Sequence, residues 1–154
     1  MAIEDDITFF ETVPTLSMLG RGALRILAIG AESRYVHSGE TLFNAGDEAD
    51  SGYVVQEGSF RLTPNAFDKG QAVTVGVGTL LGELALFTET IRPVTATALE
   101  PSTVLRLPRP LFLKMLDGYP DAAARLREVL VKRLDESERD IQTIRSLLDA
   151  VGQR

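Results

Sequence analysis

Residues 82–98 read GELALFTETIRPVTATA, a largely apolar stretch in which Glu83 stands nine positions before the only basic residue, Arg92. Gly82 opens the stretch, and Pro93 follows the arginine directly. Proline has no backbone N–H, so one donor is missing immediately beside the guanidinium. What the carboxylate and the guanidinium do together depends on the fold that surrounds them.

The composition of the chain is that of an ordinary globular protein. Its 154 residues fit one domain, and they are 44% hydrophobic and 25% charged. The formal net charge is −6, and the sequence pI is about 4.8. Nucleic acids are anionic, and proteins that bind them usually carry a basic face. We therefore expect no direct nucleic-acid binding.

Few residues are available for catalysis or for metal binding. The chain has no cysteine, which excludes disulfides and thiolate chemistry, and His37 is its single histidine. Metal sites and acid–base pairs commonly need more than one such residue. Nothing supplies a nucleophile–base pair either, so we predict no catalytic residue, no metal and no enzyme activity.

The N-terminus argues against export and against membrane insertion. It reads MAIEDDITFF, which is acidic where a signal peptide would be basic. No apolar run along the chain approaches the length needed to span a membrane. We therefore predict a cytoplasmic protein with no membrane partner.

The pattern of apolar residues changes along the chain from helical to strand-like. In residues 8–29 five apolar residues recur at helical spacing, which predicts one or two short helices within 1–31. These five residues are Leu16, Leu19, Ala23, Leu24 and Leu27. From 32 to 107, short β-branched and aromatic runs alternate with glycine-bearing turns. Such runs favour an antiparallel barrel or sandwich.

A second change of pattern follows Pro108. The residues after it predict a short helix at 109–117 and a long helix at 121–151, with glycine and proline between them. Together with the earlier segments, this gives one domain over 1–154, mainly β with flanking helices, in the α+β class.

The ordered glycines and the opening stretch resemble the cyclic nucleotide-binding domain family. The resemblance begins with GETLFNAGDEADSGYVVQEGSFRL at 39–62. It continues with VGTLLGELALFTETIRPVTATA at 77–98, which looks like that family's phosphate-binding cassette, and closes with STVLRLPRPLFLKML at 102–116. It implies an antiparallel β-roll, or jelly roll, of about eight strands. The cassette would occupy 82–95, and the helix at 109–117 would be a hinge helix.

The resemblance also implies a ligand and a role for each residue of the site. The ligand would be cAMP, or cGMP, with Arg92 meeting the cyclic phosphate through its planar fork of donors. Glu83 would accept from the ribose 2′-hydroxyl. A single helical turn at 83–87 would present the free N–H groups of Leu84 and Ala85 to the phosphate. The implied nucleotide-binding residues are Leu62, Gly82, Glu83, Leu84, Ala85, Arg92, Pro93 and Val94.

Pro93 keeps other functions open. In the family, a small residue whose N–H donates to the phosphate usually follows the arginine, whereas Pro93 has no N–H and Val94 has no hydroxyl. One hydrogen bond to a charged acceptor is worth roughly 1.5–3 kcal/mol, so affinity would be weakened. One alternative is an interaction or dimerisation module that no longer binds cAMP or cGMP. Another is a pocket retuned to a different anionic nucleotide, such as a cyclic dinucleotide.

The C-terminal helix carries a heptad-like apolar stripe, which predicts a homodimer. The first position of the heptad holds Leu134, Ile141 and Leu148, and the fourth holds Leu130, Ile144 and Val151. Packing of this helix on its own barrel is the simpler alternative. No DNA-binding module follows before Arg154, so we expect a sensor domain that signals to an unknown effector by movement of its C-terminal helices.

Overall fold

The computed structural model of the protein describes residues 3–64 and 71–136. The chain divides into two compact units. One unit is Ala31–Arg109, and the other combines Met1–Gly30 with Pro110–Arg154. The candidate site lies within the first unit.

The first unit is built of short antiparallel strands. Within the described ranges there are ten: β1 Glu32–Val36, β2 Thr41–Phe43, β3 Glu48–Ala49, β4 Ser51–Glu57, β5 Phe60–Pro64, β6 Val73–Val75, β7 Leu80–Leu81, β8 Thr90–Ile91, β9 Val94–Ala98 and β10 Ser102–Pro108. They form sheets of order β1-β10-β4-β7 and β2-β9-β5-β6, and the two-stranded pair β3-β8. The predicted fold class is confirmed.

The strand count exceeds the predicted number of about eight because several ladders are very short. Strands β3, β7 and β8 have two residues each. Two residues cannot display the period-two alternation that identifies a strand in a sequence. The pairing of β3 with β8 matters for function, since it brings 48–49 beside 90–91, and Arg92 follows directly.

The strands enclose an apolar core. Its buried residues are Val36, Leu42, Phe43, Tyr53, Val55, Phe60, Leu81, Ala96, Ala98 and Val104. Alternating burial along β9 and β10 reflects the strand period, in which successive side chains point to opposite faces. Burying a large apolar side chain contributes roughly 1.5–3 kcal/mol, so this cluster is the main source of stability of the unit.

The turn between β4 and β5 requires glycine. Gly58 has a φ of +90°, a backbone conformation that residues with a Cβ rarely adopt. A Cβ at this position would lie 2.0 Å from Oγ of Ser102 and 2.8 Å from its Cα. The turn therefore fits against β10 only because the side chain is absent.

The second unit contains four helices in its described part or at its boundary: α1 Ile3–Phe10, α2 Arg21–Gly30, α3 Arg109–Gly118 and α4 Pro120–Glu136. The five apolar residues used to predict the N-terminal helices are all buried. Only those from Ala23 onward lie in a helix, however. Leu16 and Leu19 lie in a run of turns, and their N–H groups bond three residues back, to Val13 and Leu16.

Close helix packing in this unit depends on two glycines of α2. A Cβ on Gly22 would lie 2.9 Å from the ring of Tyr119, and one on Gly30 would lie 2.5 Å from Leu111. The predicted long helix is described as far as Glu136. The heptad positions from Ile141 onward lie outside the described residues, so the homodimer stays a prediction.

Candidate functional site

A cavity of about 470 Å³ opens beside the segment that the sequence predicted as the cassette. It is lined by Ala49, Gly82, Glu83, Leu84, Ala85, Thr90, Ile91, Arg92 and Pro93. Six of the eight predicted site residues are among these lining residues. The geometry brings the six together around one space, and their role in binding remains a prediction.

The other two predicted residues, Leu62 and Val94, do not line this cavity. Both are half-buried and pack against the apolar core. They belong to the ladder between β5 and β9, where Leu62 pairs with Ala96 and Val94 with Pro64. Their side chains contribute to the core of the β-roll, and the cavity in this conformation does not extend to them.

The cassette contains one turn of 3₁₀ helix at Glu83–Leu86. Gly82 precedes it in the left-handed conformation, with φ 74° and ψ 37°. The prediction of a free N–H at Ala85 is wrong in this conformation, because that N–H donates to the carbonyl of Gly82 at 3.1 Å. A 3₁₀ turn bonds across three residues, so it uses a donor that an α-helical first turn would leave free.

Backbone hydrogen bonds fix Arg92 at the end of β8. Its N–H donates to the carbonyl of Asp47 at 2.8 Å, and its own carbonyl accepts from the N–H of Gly46 at 2.8 Å. The side chain is 4% exposed. The tight turn before β3 therefore holds the arginine in place from both sides of its peptide unit.

Among the described residues no carboxylate contacts the guanidinium of Arg92 directly, although the charges of Asp50 and Asp47 attract it from a greater distance. The guanidinium forms no ion pair with a carboxylate within 3–64 and 71–136. Nη2 lies 3.5 Å from Oγ of Ser51, at the limit of a hydrogen bond, and buried Nη1 has no partner. Burial lowers the pKa of Arg92, but an arginine stays protonated in proteins. The site thus holds a buried cation that is not directly paired with a carboxylate of 3–64 or 71–136, and the low dielectric of the interior makes such a charge costly.

Gly82 allows the guanidinium to approach the backbone. A Cβ on Gly82 would lie 2.2 Å from Nη1 of Arg92, well inside van der Waals contact. The glycine that opens the cassette therefore serves two purposes: it adopts the positive φ before the 3₁₀ turn, and it leaves space for the arginine head.

Sequence reasoning missed three lining residues, Ala49, Thr90 and Ile91. All three come from the two-residue ladder between β3 and β8. They are small or apolar and carry no motif that would mark them as part of a site. The one available signal was adjacency, since Ile91 directly precedes Arg92.

A second cavity, of about 560 Å³, shares these three residues and is also lined by Glu48, Asp50, Glu89 and Arg109. Nε of Arg109 donates to the carbonyl of Ala85 at 2.8 Å, and Nη2 donates to that of Ala49. Burial alone would raise the pKa of Asp50, but a hydrogen bond from Ser51 and the charge of Arg106 hold this pKa below its usual value. The wall of this second cavity is therefore mainly acidic.

The described part of the chain contains no group of three or more His, Cys, Asp or Glu residues that could hold a metal ion. Within it, too, every helix is too short or too polar to cross a bilayer.

The profile of the family called "Cyclic nucleotide-binding domain" matches residues 33–119, more than half of the chain. The chain belongs to the cyclic nucleotide-binding domain family. The match covers the β-roll from the second residue of β1 onward, both cavities and α3. The resemblance stated from the sequence is confirmed.

Two solved structures show how the family likeness extends to the fold. A cyclic nucleotide-binding-like protein from Brucella abortus is 33% identical, with a TM-score of 0.64 over 73% of this chain and 98% of that chain. The catabolite activator protein of Thermus thermophilus is 27% identical, with a TM-score of 0.67 over 84% of this chain and 62% of that one. Both support the same β-roll with flanking helices.

Among curated proteins, the lysophospholipase NTE1 of Chaetomium globosum is 29% identical over 119 residues. That similarity covers 76% of this chain and 8% of the enzyme. The chain spans less than a tenth of the length of the curated relatives it matches. The likeness therefore concerns a shared domain, and the activity of the whole enzyme is not inferred for this chain.

Proposed function

We propose that this domain is a cyclic-nucleotide sensor whose first ligand is cAMP. The observation that carries the proposal is Arg92, a buried guanidinium at the wall of a 470 Å³ cavity that no carboxylate of the described residues contacts directly. A buried charge without a partner is costly, and an anion that enters the cavity relieves that cost. The cyclic phosphate is a small monoanion whose oxygens suit a planar fork of donors.

The phosphate and the ribose of the nucleotide each have a proposed partner in the cavity. Arg92 binds the phosphate, and Glu83 accepts from the ribose 2′-hydroxyl. The backbone at Gly82 and Leu84 completes the phosphate contacts. For Ala85 to donate its N–H as well, the 3₁₀ turn must open, because that N–H bonds to Gly82 in the ligand-free state. Leu62 and Val94 contact the nucleotide only if the cavity extends toward the core on binding.

Signalling would follow from a shift in population between two cassette conformations. The phosphate stabilises the open form of the 3₁₀ turn, and Arg109 bonds to the carbonyl of Ala85 in that turn. Arg109 is also the first residue of α3. Ligand binding would therefore change the start of this hinge helix, and the C-terminal helices would carry the change to an effector protein or across a dimer.

The proposal of a homodimer is supported by the apolar stripe of the C-terminal helix. We expect the full chain to sediment as a dimer and a chain ending at Asp140 to sediment as a monomer, since the truncation removes Ile141, Ile144, Leu148 and Val151. If both the full chain and the shortened chain sediment as monomers, the helix packs on its own barrel.

The contact between Glu83 and the ribose gives a direct test of ligand class. In calorimetric titrations, cAMP should bind about ten- to a hundredfold more tightly than 2′-deoxy-cAMP, because a hydrogen bond to a charged group is lost. Glu83→Ala should abolish that preference. Glu89→Ala, an exposed glutamate of the second cavity, is the matched control and should retain it. Equal affinity of the unmodified protein for both nucleotides would exclude the proposed ribose contact.

A second candidate function is an interaction module that binds no cyclic nucleotide. Pro93 supports it, because this residue lines the cavity and has no N–H to donate to a phosphate. In that case the same titrations with cAMP, cGMP and 2′-deoxy-cAMP would give no heat on a folded protein.

Charge argues against a cyclic dinucleotide. Such a ligand carries two phosphates, and the space adjoining the cavity of Arg92 is lined by Glu48, Asp50 and Glu89. A second phosphate there would meet carboxylates of like charge, which disfavours binding. We therefore expect the pocket to prefer a ligand with a single phosphate.

A further inference from the structure

Two aromatic rings lie against the guanidinium of Arg92. Its Cζ is 4.4 Å from the ring centroid of Phe43 and 5.5 Å from that of Tyr53. The two rings are stacked on each other, with centroids 5.9 Å apart and planes inclined by 27°. Both side chains are buried, Phe43 at the end of β2 and Tyr53 within β4. The distances lie within the range at which a cation is attracted to an aromatic face.

Direct polar contacts to the charged head of Arg92 are weak, and Asp50 and Asp47 attract it only from a distance. The polar contact that the structure provides, from Nη2 to Oγ of Ser51, is long at 3.5 Å. Within the part of the chain that the structure describes, Nη1 has no hydrogen-bond partner. A cation–π interaction is strengthened when the cation is desolvated, and Arg92 is 4% exposed.

We propose that Phe43 and Tyr53 are positioning residues that hold Arg92 in place without neutralising it. A carboxylate in their position would orient the guanidinium equally well, but it would compete with any incoming anion for the same donors. An aromatic face attracts the cation and leaves its N–H groups unused. The whole charge is then available to the ligand, and no ion pair has to break before the ligand binds.

The inference rests on the proposed function only in naming the anion as a cyclic phosphate. The geometry of rings and guanidinium exists without ligand, so it has a consequence of its own. Protons held over an aromatic face experience its ring current, and the Nε–Hε signal of Arg92 should therefore be displaced upfield from the position of the exposed arginines. This spectrum can be recorded on the unaltered protein, with Arg92→Lys used to assign the signal.

Substitution of Phe43 tests the positioning role directly. Phe43→Leu removes the ring and keeps an apolar side chain, and it should weaken cAMP binding roughly two- to thirtyfold and move the Arg92 Nε–Hε signal. Phe60→Leu is the matched control. Phe60 is fully buried in the same core, and the rings that the described residues place over Arg92 are those of Phe43 and Tyr53, so Phe60→Leu should lose comparable stability and retain both affinity and signal. Phe43→Tyr keeps a ring and should restore most of the affinity.

The outcomes separate this inference from the proposed function. If Phe43→Leu and Phe60→Leu bind cAMP equally and leave the Arg92 signal in place, the positioning role is wrong. If the unaltered protein binds no cAMP, the proposed ligand is wrong, and the ring contact is judged on the Nε–Hε signal alone. An Arg92 signal at the position of the exposed arginines would overturn the inference even if Phe43→Leu failed to fold.

Discussion

Replacing Arg92 with methionine is expected to weaken cAMP binding about a hundredfold or more, because truncating one partner of a buried charge pair costs about 2–5 kcal/mol. The same change should leave the ligand-free protein at least as stable as the unaltered one. Burial of a charge without a partner costs several kcal/mol, and the aromatic contacts return about 2 kcal/mol. Methionine fills similar space with no charge to desolvate.

Thermal or urea unfolding measures the stability of the unaltered protein and of Arg92→Met. Both proteins are first freed of any bound nucleotide, and are called stripped. Arg92→Lys is the matched variant, since it keeps the charge but loses the planar fork. We expect the lysine variant to bind cAMP weakly and to be less stable than the methionine variant. A large loss of stability in Arg92→Met without ligand would contradict the account, since it would mean that the guanidinium already has a good partner in the folded protein.

Gly58→Ala is expected to cause the largest loss of stability, on the order of 3 kcal/mol or more. The new Cβ meets backbone as well as side chain of Ser102, and the φ of +90° is strained for alanine. Gly39→Ala measures the cost of the backbone strain alone. The φ of Gly39 is +84°, and a Cβ at this position would have nothing within 4 Å among the described residues. We expect Gly39→Ala to cost about 1–2 kcal/mol.

Urea unfolding of the two glycine variants separates crowding from backbone strain. Gly58→Ala should lose at least about 1 kcal/mol more stability than Gly39→Ala, as expected for overpacking a filled site. Equal losses would show that β10 can shift away from the turn at little cost, and that Gly58 is required for its φ alone. Circular dichroism at low denaturant checks that both variants remain folded.

The fold was predictable because its signals are local and ordered. Glycines such as Gly58 and Gly82 stand where the backbone must adopt a positive φ, and their order along the chain identified the β-roll. The cavity was predictable to the extent that its residues are contiguous, as in 82–85 and 92–93. The strand faces were harder to assign, because Leu62 lies on a half-buried strand whose packing on the core depends on the register with β9.

The electrostatic character of the site was not predictable from the sequence. The sequence does not show which groups surround the guanidinium of Arg92, which lies over Phe43 and Tyr53. These rings stand 49 and 39 positions before it, and no period or motif connects them. The bond from Ala85 to Gly82 was missed for a different reason: the choice between a 3₁₀ and an α-helical turn depends on local geometry that a four-residue sequence does not fix.

We propose that Arg92 is charged, and in direct contact with no carboxylate of the described residues, until a cyclic phosphate binds to it. Calorimetric titration of stripped protein with cAMP, repeated on Arg92→Met, tests it most directly. We expect the unaltered protein to bind cAMP with a Kd in the roughly micromolar range, and Arg92→Met to bind it about a hundredfold or more weakly. No heat with roughly millimolar cAMP on a folded, stripped protein, or equal binding by the variant, would contradict it.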